Sequence, residues 1–143
     1  MQNLLNKFAI PALLLSTSFA QLCSAAGESV SIPVTALKYE QAAFGPLKFA
    51  QAYGDRNGGK HGSYGKLPAG FTSPPHTHTN DYYATVVSGV IASGPEGEPD
   101  IPMAPGSYWF QKAKERHVTK CLSANECVFF QSQEGKADFL ISK

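Results

Sequence analysis

An all-β fold is predicted by three observations on the sequence. Strand-like runs rich in β-branched and aromatic residues recur along the chain. Gly- and Pro-rich turns separate them at short intervals. No run sustains a helical period. Many short strands at such spacing close into a sandwich or a small barrel.

The elements follow in order. Candidate strands are VSIPVTAL (30–37), LKFAQAYG (47–54), GSYGKLPAG (62–70), DYYATVVSGVIAS (81–93), GSYWFQKA (106–113), HVTKC (117–121), CVFFQSQ (127–133) and ADFLISK (137–143). DRNGGKHG, FTSPPH and GPEGEPDIPMAPG connect them as turns, and LKYEQAAF (37–44) reads as one short helical turn.

The first residues carry one positive charge at Lys7, an apolar run from Phe8 to Phe19, and small residues at Ser24, Ala25 and Ala26. That order is the pattern of a cleavable secretory signal. Residues 1–25 are therefore read as a signal peptide and 26–143 as a single domain, periplasmic or secreted. The apolar run falls short of the ~20 residues a membrane span needs, and Leu22 is a poor predecessor for a lipid-anchored Cys23. Lys+Arg number 12 and Asp+Glu 11, with only Lys7 in the signal, so the exported part has no net charge. A nucleic-acid partner and a polybasic membrane contact are excluded, which leaves a small-molecule ligand, a metal or another protein. In an oxidising compartment Cys121 and Cys127, flanking LSANE, read as a disulfide clamping a β-hairpin.

The chemistry concentrates in GFTSPPHTHTNDYYATVVSG (70–89). Side chains of an extended segment alternate faces, so His76, His78 and Tyr82 share one face and Asp81 and Tyr83 the other. Two imidazoles at i and i+2 can reach one metal, and Pro74–Pro75 stiffens the approach. Taken alone, HTH fits a pair of metal-free loop histidines equally well.

The wider pattern resembles the cupin superfamily. Gly70, five residues, His76-Thr77-His78, three residues, Tyr82, six residues and Gly89 keep the register of the first cupin motif, with Tyr82 where a glutamate is usual. Gly106, five residues, Lys112-Ala113-Lys114, two residues, His117, three residues and Cys121 keep the spacing of the second, with only Gly106 and His117 retained. The likeness is closer to small exported bacterial cupins of unknown function, similar to the zinc-binding cupin lobe of certain anti-sigma factors. The resemblance implies a double-stranded β-helix, a jelly-roll-like barrel, with His76, His78 and His117 as metal ligands near its mouth. A homodimer is the oligomer it implies.

Three imidazoles with open positions suit a divalent transition metal, zinc or iron foremost, and suit magnesium or calcium poorly. A phenol with a pKa near ~10 is a weak ligand, so Tyr82 is expected to hydrogen-bond beside the metal. Asp81 replaces it if the strand bulges. Two functions stay open: binding or sensing of a small oxygenated ligand, and a metalloenzyme (oxygenase, hydrolase or isomerase) acting on a small chelating substrate. His61 reads as a solvated loop histidine, Glu115 as a solvated charge, and Tyr83 as barrel-wall packing. Trp109, Phe110, Phe129 and Phe130 read as core or rim.

Overall fold

Residues 29–142 are described by the computed structural model; the signal-peptide reading of residues 1–25 lies outside them. Ten strands run through the described residues: β1 (Glu40–Gln41), β2 (Lys48–Gly54), β3 (His61–Leu67), β4 (His76–Thr77), β5 (Tyr82–Ser88), β6 (Ile91–Gly94), β7 (Tyr108–Gln111), β8 (Val118–Cys121), β9 (Cys127–Gln133) and β10 (Leu140–Ile141). Six form one sheet in the order β1-β2-β3-β9-β5-β7. Opposite lie the pairs β10-β4 and β6-β8, joined by an antiparallel bridge between His76 and His117. Every pairing is antiparallel. This is the all-β, jelly-roll barrel that the sequence predicts.

Period two sorts the inner face into rungs. His61, Gln133, Tyr82 and Gln111 lie side by side on β3, β9, β5 and β7, and all four are buried. Ser63, Gln131, Ala84 and Trp109 form the next rung. Beyond them Phe129, Val86, Leu67 and Cys127 continue on the same faces into the apolar core, which also takes in Ile91 and Cys121. The barrel is thus polar at one end and apolar at the other. Burial of each large apolar side chain there contributes about 1.5–3 kcal/mol.

Four local expectations are corrected. VSIPVTAL finds no partner strand and forms a single 3-10 turn at Val34–Ala36 with none of its residues buried. LKYEQAAF is not a helical turn, because Glu40 and Gln41 pair with Phe49 and Lys48; sheet pairing overrides a weak local pattern. DYYATVVSGVIAS is broken at Gly89 (φ +77°), where β5 ends and the chain crosses to the other sheet as β6. A Cβ there would lie 2.8 Å from Cys127 Sγ, so glycine is required twice over. The Cys121–Cys127 disulfide forms, but it clamps no hairpin. β8 pairs with β6 while β9 lies between β3 and β5, so the bond ties the two sheets together at the apolar end.

Candidate metal centre

Local backbone geometry brings three histidines to one place. β4 is extended, and after Pro74–Pro75 it carries His76 and, one step past its end, His78. Its backbone pairs with β10 on one side and meets His117 on the other. His76 and His117 exchange both main-chain hydrogen bonds, each 3.0 Å. The turn before His117 is held by Lys114 N donating to His78 O (2.8 Å) and Ala113 N donating to Asp81 Oδ1 (2.6 Å). Lys114 occupies the motif's usual glycine position and keeps a left-handed φ of 63°.

The imidazole centroids lie 4.1 Å (His76–His117), 4.9 Å (His76–His78) and 5.1 Å (His78–His117) apart. One ring nitrogen from each lies within 4.8 Å of the other two, so the group can hold a metal ion. Nδ1 donates to a main-chain carbonyl in every case: His76 to Pro74 O (2.9 Å), His78 to Asp138 O (2.6 Å) and His117 to Glu115 O (3.0 Å). A carbonyl only accepts, so each Nδ1 carries the proton and each Nε2 keeps its lone pair. His117 Nε2 is buried with no hydrogen-bond partner. A lone pair left unpaired in the interior is costly unless something electrophilic meets it. The donor set therefore fits a divalent transition metal.

Electrostatics favour the ligating form. Burial, reinforced by neighbouring His117 and His78, lowers the His76 pKa to about 3 against the bond to Pro74 O. Burial lowers His117 to about 4, opposed by its bond to Glu115 O and helped by His78. His78 is lowered too, chiefly by burial and further by Arg56, with Asp138 opposing. His78 Nδ1 also lies 3.9 Å from Asp138 Oδ1. With a neutral imidazole this is not an ion pair, and the 2.6 Å bond to the carbonyl is the contact that orients the ring.

Tyr82 faces inward as its register requires. Its ring meets His78 edge-on at 5.2 Å, and its hydroxyl accepts from Trp109 Nε1 at 3.4 Å. Burial raises its pKa, against hydrogen bonding from Trp109, Ser93 and Thr119, so the phenol stays protonated. Asp81 is exposed and spends Oδ1 on Ala113 N; the structure does not bring it to the histidines. The Glu115 side chain is exposed, while its carbonyl orients His117.

One expectation fails. His61 is not solvated: it opens β3, is 0% exposed, donates from Nδ1 to Gly59 O (2.9 Å) and leaves Nε2 buried without a partner. Tyr83 packs on the outer wall of the barrel, on the face opposite the histidines that its register gives it. It is 50% exposed on the outer face, beside Tyr108 and Phe110. Trp109 and Phe129 are core; Phe110 lies outside.

A cavity of about 300 Å³ opens beside the histidines, lined by His76, His78 and Tyr82 together with Arg56, Gln131 and Gln133 and, deeper, by Leu67 and Phe129. His117 is not among the lining residues, though its ring lies 4.1 Å from that of His76. Three participants were not visible in the sequence. Phe139 stacks on His76 (3.9 Å, 14° between planes) and on Phe44 (5.2 Å). Asp138 supplies the carbonyl that orients His78. Arg56 lies over the Phe49 ring at 3.8 Å.

With that geometry in place, the family can be named. Residues 47–142 match the family described as a domain of unknown function (DUF4437). This chain is a DUF4437 protein. No curated protein matches it. Among solved structures, the DUF4437 chain is similar to the polyketide cyclase RemF from Streptomyces resistomycificus, with 15% identity, a TM-score of 0.68, and 81% of this chain and 87% of that one covered. An RmlC-like cupin from Ralstonia eutropha shares 20% identity over 79% of this chain and 73% of that one, with a TM-score of 0.62. A predicted oxalate decarboxylase from Thermotoga maritima shares 16% identity over 74% and 99%, with a TM-score of 0.60. At such identities the likeness gives the fold alone, and the fold of this DUF4437 protein is that of the cupins.

Proposed function

We propose that this protein is an exported metal-binding cupin that binds or senses a small oxygenated ligand. His76, His78 and His117 hold one divalent transition metal, zinc or iron, through Nε2. The observation that carries this reading is the shared orientation of the three rings: every Nδ1 proton is committed to a carbonyl, leaving three neutral Nε2 donors, two of them on rings that line a cavity. When bound, such an ion supplies positive charge and open coordination positions for an oxygen ligand. Protonated Tyr82 beside His78 offers polarity without negative charge. Export rests on the signal-like residues 1–25.

The alternative is a metalloenzyme acting on a small chelating substrate. The cavity beside the histidines favours it, and RemF and the oxalate decarboxylase relative are enzymes by name. Against it, the described carboxylates near the histidines are committed or exposed. Asp138 accepts from Thr79 N at 2.9 Å, and Glu115 is exposed.

The deciding measurement is elemental analysis of the purified protein after reconstitution, beside a His76→Ala/His78→Ala variant. One transition-metal ion per wild-type chain and none in the variant is expected. A wild type without stoichiometric metal would sink both readings. Oxygen-uptake and hydrolysis assays across small chelating acids then separate enzyme from binder.

A further inference from the structure

Arg56 sits in the turn between β2 and β3 with its guanidinium over the Phe49 ring, 3.8 Å from the centroid. It lines the same cavity as His76 and His78. Its position is fixed by the segment that orients the metal motif: Ala137 N donates to Arg56 O (2.8 Å), and the next residue's carbonyl takes the proton of His78 Nδ1. Arg56 forms no ion pair among the described residues, and its Nη1 is buried without a hydrogen-bond partner. The cavity's two carboxylates leave it unmatched: Glu40 is exposed, and Asp138 accepts from Thr79 N.

A permanently charged, planar fork of donors is costly to withdraw from water unless an anion meets it. Stacking on Phe49 satisfies one face of the guanidinium and leaves its edge, where carboxylates bind, unused. Apolar walls from Phe44, Leu47, Phe71 and Phe139 stand in the same cavity beside neutral Gln131 and Gln133.

We propose that the ligand of this cavity is a small organic carboxylate, its carboxylate held by Arg56 and its apolar body against the phenylalanine walls. Burial lowers the Arg56 pKa from its ordinary value, which agrees with a guanidinium partly stripped of water. The inference rests on reading the cavity as a ligand site, but it does not require the metal. Arg56 contributes charge and orientation, and nothing covalent is involved.

The test uses benzoate and its neutral counterpart benzamide, titrated calorimetrically into EDTA-treated and zinc-loaded protein. Wild type should bind benzoate at least about tenfold more tightly than benzamide, the scale of one charge-assisted hydrogen-bonded pair. Arg56→Gln should remove that preference while the protein still unfolds in one cooperative transition, its thermal midpoint lowered only by the lost stacking on Phe49. Equal affinity for the two probes in wild type, no binding of either, or a preference surviving in Arg56→Gln would each overturn the proposal. Metal analysis on the same samples keeps the two ideas apart. Arg56-dependent benzoate binding without stoichiometric metal overturns the metal reading alone; stoichiometric metal with no benzoate preference overturns this one alone.

Discussion

His78 Nδ1 donates to the carbonyl of Asp138 at 2.6 Å, so the C-terminal segment orients a ring in the metal motif. The same segment stacks Phe139 on His76 and pairs Leu140 and Ile141 with β4. Removing residues 137–143 should therefore weaken zinc binding without touching a ligand. The expected loss is about 10–100-fold, the range for groups that orient metal-bound histidines, measured by competition with a chelating dye. Phe139→Ala should give a smaller loss in the same direction. Unchanged affinity in the truncated chain would show that the Asp138 carbonyl does not matter.

Acid should destabilise the metal-free protein through the histidines. Unfolded, each imidazole takes a proton below about 6.5. Folded, His76 stays neutral to about 3 and His117 to about 4. The unfolded state thus binds more protons throughout that window, and stability falls as pH falls. The decline should start near 6.5 and level off once the folded-state values are passed. Urea midpoints in EDTA should show a shallower slope from pH 6.5 to 4 in His76→Asn/His117→Asn, whose replacements do not titrate.

Cys121–Cys127 closes a loop with a sequence separation of 6. Loop-closure entropy gives such a bond about 2 kcal/mol. Cys121→Ser/Cys127→Ser should lower the unfolding free energy by that amount with no change in metal stoichiometry, because the bond lies at the apolar end of the barrel. Denatured wild-type protein should show no titratable thiol from either position; two would contradict the bond.

Lys114 holds φ at 63°, where a side chain costs about 1–2 kcal/mol. Glycine avoids that strain but loses about 0.4–1 kcal/mol through the greater entropy of the unfolded chain. Lys114→Gly should leave stability equal or raise it by up to about 1 kcal/mol, and Lys114→Val should lower it. A marked loss in the glycine variant, read from the thermal midpoint, would mean the lysine side chain has a structural role.

Much of the site was legible because period two is a strong rule. Register alone put His76, His78 and Tyr82 on one face, and the structure turns all three toward the cavity. The glycines that bound the motifs, Gly70, Gly89 and Gly106, all adopt positive φ, which is why spacing outlasts side-chain identity between them. His61 was misread because Gly58 and Gly59 before it and Gly62 after it look like one long turn. In the folded chain the turn stops at Lys60, and strand pairing with Gln133 buries His61. Arg56 and Phe139 reach the histidines only through tertiary closure, and nothing local marks them. Parity likewise put Tyr83 on the face opposite the histidines, and there it lies with Phe110 on the outside of the barrel.

The paired main-chain bonds between His76 and His117 also bear on the order of assembly. They set the separation of two rings by the ladder of a sheet, while the third ring is tied to the C-terminal segment. Small zinc modules stay unfolded until their ion arrives. The apolar core and the Cys121–Cys127 bond lie away from the histidines, so folding is expected not to need the ion: EDTA-treated protein should keep its circular-dichroism spectrum and thermal transition.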